Sequence, residues 1–214
     1  MRIRSVHRSA GTPNPARPGR TTGIDKRPVD TAEITADGLT GDTIADRVHH
    51  GGPDQAVYLY GQPDRDRWAA ELGREVPAGA FGENLVVDGL VSADVAVGDH
   101  FHIGDRIVLE ATAPREPCGT LERHMAYLGF AAGFSSRFRT ARRPGVYCRV
   151  IEGGILCPGD PVRIEPAREP RITIGEVFDT LFDRDADEAT LRRCLTAPLA
   201  ERVRIGFKRR LTDR

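Results

Sequence analysis

No stretch of this chain holds about 18 consecutive apolar residues, so no helix is expected to cross a membrane. The opening residues, Met1-Arg-Ile-Arg-Ser-Val-His7, lack the apolar core of a secretory signal, and a cytoplasmic location is expected. Net charge is absent as well. The 31 Lys and Arg balance the 31 Asp and Glu, which removes the global field that gathers nucleic acid or anionic membrane. Basic runs at Arg137-Phe-Arg-Thr-Ala-Arg-Arg143 and Lys208-Arg-Arg210 keep a local anion site open. Cysteine is scarce. Cys118, Cys148, Cys157 and Cys194 form no C-x-x-C pair, which argues against a zinc ribbon or a thioredoxin-type centre. In a cytoplasmic chain they are expected to be reduced thiols. Internal repeats and low-complexity tracts are absent too.

The 214 residues suit one domain of ordinary size, or one with a small appendage. A chain of this length buries roughly 70% of its unfolded surface and needs no disulfides. The 39% hydrophobic and 29% charged content is typical of a soluble globular chain. Strand patterns occur at 2–8, 29–35, 56–60, 84–88, 106–112, 146–152 and 162–165, punctuated by Asp37-Gly38, Gly41-Asp42, Gly98-Asp99 and Gly104-Asp105. Residues 64–72 have helical spacing around Trp68 and Leu72, ended by Gly73. Residues 119–140 are of mixed helical character, broken at Gly129 and Gly133. After Pro170 the period changes. Ile174, Val177, Phe178, Leu181 and Phe182 repeat at three and four residues, as in an amphipathic helix. Asp187 can cap a second helix and Pro198 can start a third. The expectation is a mainly β chain with α (α+β): a β-rich body over 1–168 and a three-helix tail over 171–214.

Five segments could carry chemistry. In Thr112-Ala-Pro-Arg-Glu-Pro-Cys118, two prolines end strand pairing and stiffen the backbone before a cysteine. Arg115 beside it favours the thiolate, the form that binds metal or attacks. A small buried hydrophobe is the alternative for Cys118. In His49-His50-Gly51-Gly52-Pro53-Asp54-Gln55, the glycines let backbone approach a ligand and turn N–H groups toward an anion. The two histidines would point to opposite sides of an extended backbone, and a polar turn is the alternative. Gly79-Ala-Phe81-Gly-Glu83-Asn84-Leu85 could offer carboxylate and amide hydrogen bonds to a planar heterocycle, or form a bulge entering a strand. Lys26-Arg27 could hold a phosphate or lie at a solvated strand end. Arg143, in Arg142-Arg-Pro-Gly-Val-Tyr-Cys-Arg149, could do the same or sit on a surface turn. Cys148, Cys157 and Cys194 read as packing residues.

Taken in order, these segments resemble the MOSC-domain family, most closely its YiiM-like branch. The residues that carry the likeness are Lys26-Arg-Pro-Val29, Gly38-Leu-Thr-Gly-Asp42, His50-Gly-Gly-Pro-Asp-Gln-Ala-Val57, Gly79-Ala-Phe-Gly-Glu-Asn-Leu85, Val97-Gly-Asp99, Pro114-Arg-Glu-Pro-Cys118, Arg143-Pro-Gly-Val-Tyr147 and Pro158-Gly-Asp-Pro-Val162. The tail from Ile172 to Arg210, with Leu181-Phe-Asp-Arg-Asp185, resembles the three-helix domain that follows MOSC in this branch.

The resemblance implies a β-barrel-like body that binds the molybdenum–molybdopterin cofactor, with Cys118 as the protein ligand to the metal. It implies cofactor contacts from Lys26, Arg27, His49, His50, Gly51, Gly52, Gln55, Phe81, Glu83, Asn84, Arg115 and Arg143. His49, His50 and Asp54 are the candidate proton donors beside Cys118. At the family level it also carries an association with pyridoxal phosphate binding. The implied activity is reduction of small N-hydroxylated compounds such as 6-N-hydroxylaminopurine, with electrons from a separate donor protein, in a monomer or homodimer. A sulfur carrier with a persulfide on Cys118, or a cofactor storage or delivery protein, is the rival class. Many relatives carry an aromatic residue or Lys between the cysteine and the next Leu. Here the run is Gly119-Thr120-Leu121, which bears on substrate identity.

Overall fold

The computed structural model describes residues 1–14, 19, 21–45 and 51–213. The body contains β1 (Ile3–Arg8), β2 (Thr12–Pro13), β3 (Thr21–Thr22), β4 (Arg27–Val29), β5 (Ala32–Thr35), β6 (Gly38–Leu39), β7 (Val57–Gly61), α1 (Gln62–Leu72), β8 (Leu85–Val87), β9 (His100–Ile103), β10 (Ile107–Ala113), α2 (Gly119–Tyr127), α3 (Phe134–Ala141), β11 (Val146–Glu152), β12 (Gly154–Leu156) and β13 (Val162–Glu165). The tail contains α4 (Ile174–Phe182), α5 (Glu188–Cys194) and α6 (Glu201–Thr212). The fold is α+β, as the sequence pattern predicts.

The principal sheet has the order β13-β9-β10-β11-β7-β8-β1-β4. Its ladders are antiparallel except β7 with β8, and the helix α1 makes the crossover that a parallel pair requires. β1 holds the sheet's ends together. One edge pairs with β8, and the other pairs with β4 along Val6–Arg8. The first half of that second edge meets the segment entering β13. Ile3 N–H donates to Asp160 O at 2.9 Å, Gly159 N–H to Ile3 O at 2.7 Å and Val162 N–H to Met1 O at 2.9 Å. The expected barrel therefore comes round on itself through a short seam at Arg2 and Pro161, not through a full ladder.

The expected single strand over 29–35 divides. β4 joins the principal sheet and β5 joins a small sheet with β12 and β6. The break falls at Asp30-Thr31, where the chain bends between the two sheets. The 119–140 segment divides into α2 and α3, with Gly129 (φ 80°) and Gly133 (φ 84°) supplying left-handed backbone that other residues resist.

β7 is buried along its whole length, because α1 and α3 cover the sheet there. Trp68 of α1 packs against Phe134 at 5.0 Å and Phe138 at 6.1 Å, and Phe81 stacks on Tyr60 at 4.5 Å. Burying each such ring stabilises the fold by about 1.5–3 kcal/mol. Phe138 also meets Phe178 of α4, so one apolar core runs from body into tail.

The tail is tied down by backbone hydrogen bonds. Val97 N–H donates to Ile172 O at 2.8 Å, Ile174 N–H to Val95 O at 2.7 Å and Ala200 N–H to Thr112 O at 3.0 Å. Arg171 pairs with buried Asp99 at 3.0 Å. Asp187 caps α5 as expected, accepting from Thr190 N–H at 2.7 Å. The third helix begins at Glu201 instead of Pro198, because contacts of Ala200 and Glu201 with the body set its first turn. Among the described residues no helix is long and apolar enough to cross a membrane.

Candidate functional site

β10 ends at Ala113, and Pro114 and Pro117 prevent the next residues from extending the ladder. The chain turns there and delivers Cys118 as the N-cap of α2, in extended conformation (φ −135°, ψ 162°). Its sulfur thus lies at the positive end of a helix, which favours an anion. Cys118 is half-buried. Arg115 Nη2 lies 3.9 Å from Cys118 Sγ, a second influence toward the thiolate.

Arg115 is itself buried, and its guanidinium lies over the Tyr58 ring at 5.3 Å. Its Nη1 donates to the Phe81 carbonyl. Burial alone would lower its pKa, but the Tyr147, Tyr58 and Cys118 groups around it raise it above the usual value, so the charge is retained. Its Nε–H has no partner among the described residues.

The 79–84 loop is built to place that Phe81 carbonyl. Glu83 Oε1 accepts from Arg65 at 2.6 Å and from Gly79 N–H at 2.9 Å, and Oε2 accepts from Phe81 N–H at 3.0 Å. Burial pushes the Glu83 carboxyl upward, and the Arg65 charge opposes this. Gly82 (φ +75°) lies so close that a Cβ would stand 3.0 Å from Arg115 Nη1 and 3.2 Å from Ile24 Cγ1.

Beside it lies a second buried network. Lys26 and Asp42 form a buried ion pair. Asp42 Oδ2 also accepts from Asn84 Nδ2 at 2.9 Å, and its Oδ1 accepts from Ser9 N–H at 2.7 Å. Asn84 Oδ1 accepts from Tyr58 N–H at 3.1 Å. Burial lowers the Lys26 pKa, with Asp42 opposing, and Arg115 is close enough to lower it further. His7 is pushed down to about 4, first by burial and then by Arg65 and Lys26, so it is neutral at pH 7.

The expected site residues divide on this geometry. Cys118, Arg115, the Phe81 carbonyl and Lys26 converge. Arg27 is exposed and pairs with Asp25 at 2.9 Å. Gly51 and Gly52 adopt left-handed backbone (φ 79° each) ahead of the Pro53–Gln55 turn, and Gln55 is buried with its Nε2 unpartnered among the described residues. His49 and His50 lie outside the described residues.

Five other expected site residues have their polar groups or rings engaged elsewhere in the fold. The Phe81 ring stacks in the aromatic core, and only its carbonyl faces Arg115. Glu83 and Asn84 direct their polar atoms into the fold, to Arg65, Tyr58 and Asp42, because burial demands internal partners. Asp54 accepts from Arg149 Nη2 at 2.8 Å and, through its other oxygen, from Glu201 N–H at 2.8 Å. Both oxygens are engaged as acceptors at the body–tail junction, so Asp54 is not placed to deliver a proton. Arg143 reaches Glu71 at 4.0 Å and lines a hollow with Ser136, Arg137 and Thr140.

Two residues that sequence reasoning passed over stand at the site. His124 sits one turn beyond Leu121 on the buried face of α2; burial lowers its pKa, Asp25 opposes, and Arg115 and Arg27 lower it again. Tyr147 of β11 is buried, which raises its pKa, while Arg115 opposes and the nearby Cys118 adds to the rise. The helical period from Leu121 to His124 is the one signal that pointed to the first. Nothing local pointed to the second.

A buried cation beside a thiol at a helix start, on a curled, mostly antiparallel sheet with a helical tail, defines the class as a small α+β protein. The MOSC-domain family profile matches residues 46–163, and the profile described as YiiM-like, 3-alpha helix domain matches residues 172–214. The chain belongs to the MOSC-domain family, in its YiiM-like branch. It is 33% identical over 192 residues to YflK of Bacillus subtilis, covering 88% of this chain and 84% of that protein. It is 29% identical over 170 residues to a protein of Gibberella moniliformis named Reductase, spanning 78% of this chain but 29% of that protein. The crystal structure of YiiM from Geobacillus stearothermophilus superposes with a TM-score of 0.78, at 26% identity and 98% coverage of both chains. MOSC domains as a family are associated with binding of the molybdenum cofactor.

Proposed function

We propose that this protein binds a molybdenum–pterin cofactor through Cys118 and reduces small N-hydroxylated compounds with it. The observation that carries the reading is the 3.9 Å approach of a buried guanidinium to a half-buried cysteine sulfur at a helix start. A thiolate is the soft donor that such a metal prefers over imidazole or carboxylate. The residues present fit the group. Arg115 Nε and Gln55 Nε2 are buried donors with no partner among the described residues, and an anionic cofactor with many acceptors would satisfy such groups.

When bound, the cofactor would supply two-electron redox chemistry, and the protein would supply orientation and electrostatics. Cys118 ligates the metal. Arg115 stabilises negative charge on the sulfur and donates through Nε. Lys26, buried and paired with Asp42, would add positive charge beside Arg115 for the anionic groups of the pterin, and exposed Arg27 would reach them only by leaving Asp25. Tyr147 keeps its hydroxyl proton through burial and donates a hydrogen bond to the bound substrate. Electrons come from a separate donor protein. The fungal relative's name, Reductase, agrees with this class of reaction.

The test is metal analysis and assay of tag-free protein from a host that makes the cofactor. About one molybdenum per chain is expected, with turnover of 6-N-hydroxylaminopurine by an artificial reductant, and Cys118→Ser should lose both while keeping its circular dichroism spectrum. A persulfide on Cys118 without molybdenum would replace this reading with sulfur transfer. Molybdenum without turnover of any N-hydroxylated compound would replace it with cofactor storage.

A further inference from the structure

Residues at i and i+2 of a strand point to one side of the sheet. In β9 these are His100 and His102, and each is only partly exposed. β13 runs beside β9 in a register that sets Glu165 directly opposite His100. β10, on the other side, sets Glu110 opposite the same histidine. Cross-strand neighbours have Cβ atoms about 5 Å apart, so their side chains meet. His102 Nε2 lies 3.0 Å from Glu165 Oε2. One ligand-type atom from each of His100, His102 and Glu165 lies within 4.8 Å of the others.

We propose that His100, His102 and Glu165 form a binding site for a zinc-class divalent transition-metal ion, separate from the Cys118 centre and independent of its chemistry. Two imidazoles and one carboxylate are the donor set such ions take, and neither calcium nor magnesium favours imidazole. Metal–ligand bonds near 2.0–2.1 Å put tetrahedral donors roughly 3.3 Å apart. The His102–Glu165 pair stands at that spacing already, and His100 closes the remaining gap by rotation of its side chain. Water completes the coordination, since the Glu165 side chain is 54% exposed and the site opens to solvent.

The surroundings support the donors. Arg149 Nη1 holds Glu110 Oε2 at 2.8 Å, which leaves Oε1 facing His100 Nε2 at 3.9 Å. A carboxylate hydrogen-bonded behind a ligating imidazole orients the ring and raises its basicity, and Glu110 would take that role once the 3.9 Å gap closes as His100 turns to the ion. Arg163 Nη1 stands 3.8 Å from Glu165 Oε2 and balances its charge when no ion is bound. An ordinary surface ion pair between His102 and Glu165 would need neither His100 nor Glu110 in this arrangement.

The experiment uses tag-free full-length protein with Cys118→Ser, which removes the Cys118 thiolate as a competing zinc ligand. Isothermal titration with Zn²⁺ should give one site per chain. His100→Ala and His102→Ala should each weaken it by about tenfold or more, the scale on which even supporting partners act. Glu165→Gln should weaken it less, and Co²⁺ should show visible absorption that His102→Ala abolishes. Unfolding midpoints of the variants separate lost ligation from lost fold. Zinc binding that survives His102→Ala at full affinity in a folded chain overturns the proposal, as does failure of the parent to bind at millimolar zinc.

Discussion

Asp54 accepts the backbone N–H of Glu201 at 2.8 Å, joining residues 147 apart in sequence. The other Asp54 oxygen takes Arg149. One carboxylate thus caps the first turn of α6 and fastens the tail to the strand that carries Arg149. Asp54→Ala removes a cap and leaves Arg149 half-paired. A loss of about 1–2 kcal/mol in urea unfolding is expected. Molybdenum content should be unchanged, and loss of the metal without loss of stability would return Asp54 to the site.

Arg115 offers a test of the thiolate. Arg115→Met removes the charge beside Cys118, so alkylation of Cys118 by iodoacetamide at neutral pH should slow severalfold. The pH at which alkylation reaches half its maximal rate should rise. Arg115→Lys retains a cation and should recover part of the rate. Equal slowing in both variants would mean that the guanidinium acts through packing alone.

Gly82 tests the same contact from the opposite side. A side chain there meets both a left-handed backbone (φ +75°) and the guanidinium at 3.0 Å. Gly82→Ala should cost about 1 kcal/mol or more for the backbone alone. It should also slow alkylation of Cys118 by displacing Arg115. Unaltered alkylation in a destabilised variant would show that the guanidinium yields without cost.

His7 links pH to stability. Its folded pKa is about 4 against 6.5 in an open chain. Between these values the unfolded chain binds the proton more readily than the fold does. Stability due to neutral His7 is therefore complete above pH 6.5 and is lost as pH falls toward 4. The span is on the order of 3 kcal/mol. His7→Gln should flatten the wild-type slope of unfolding free energy in that window. Parallel slopes in the two proteins would assign the acid sensitivity to His124 or to the carboxylates.

Much of the architecture is legible in local chemistry. Alternation marks most strands, Gly73, Gly129 and Gly133 mark helix ends, and Asp187 announces the cap of α5. These signals act within four residues, where backbone sterics and capping bonds are decided. Pro114 and Pro117 likewise announce that pairing stops ahead of Cys118.

The amino-acid sequence by itself determined the element types, the helical tail and the cysteine presented after a proline-stiffened turn. Tertiary structure alone decided which polar residues remain available. Glu83, Asn84 and Asp54 have the chemistry of ligand-binding side chains, yet Arg65, Tyr58, Asp42, Arg149 and Glu201 satisfy them. His124 and Tyr147 reach the site only because α2 and β11 are packed beside Arg115. A buried polar atom must find a partner, and which partner it finds depends on strands and helices far away in the chain.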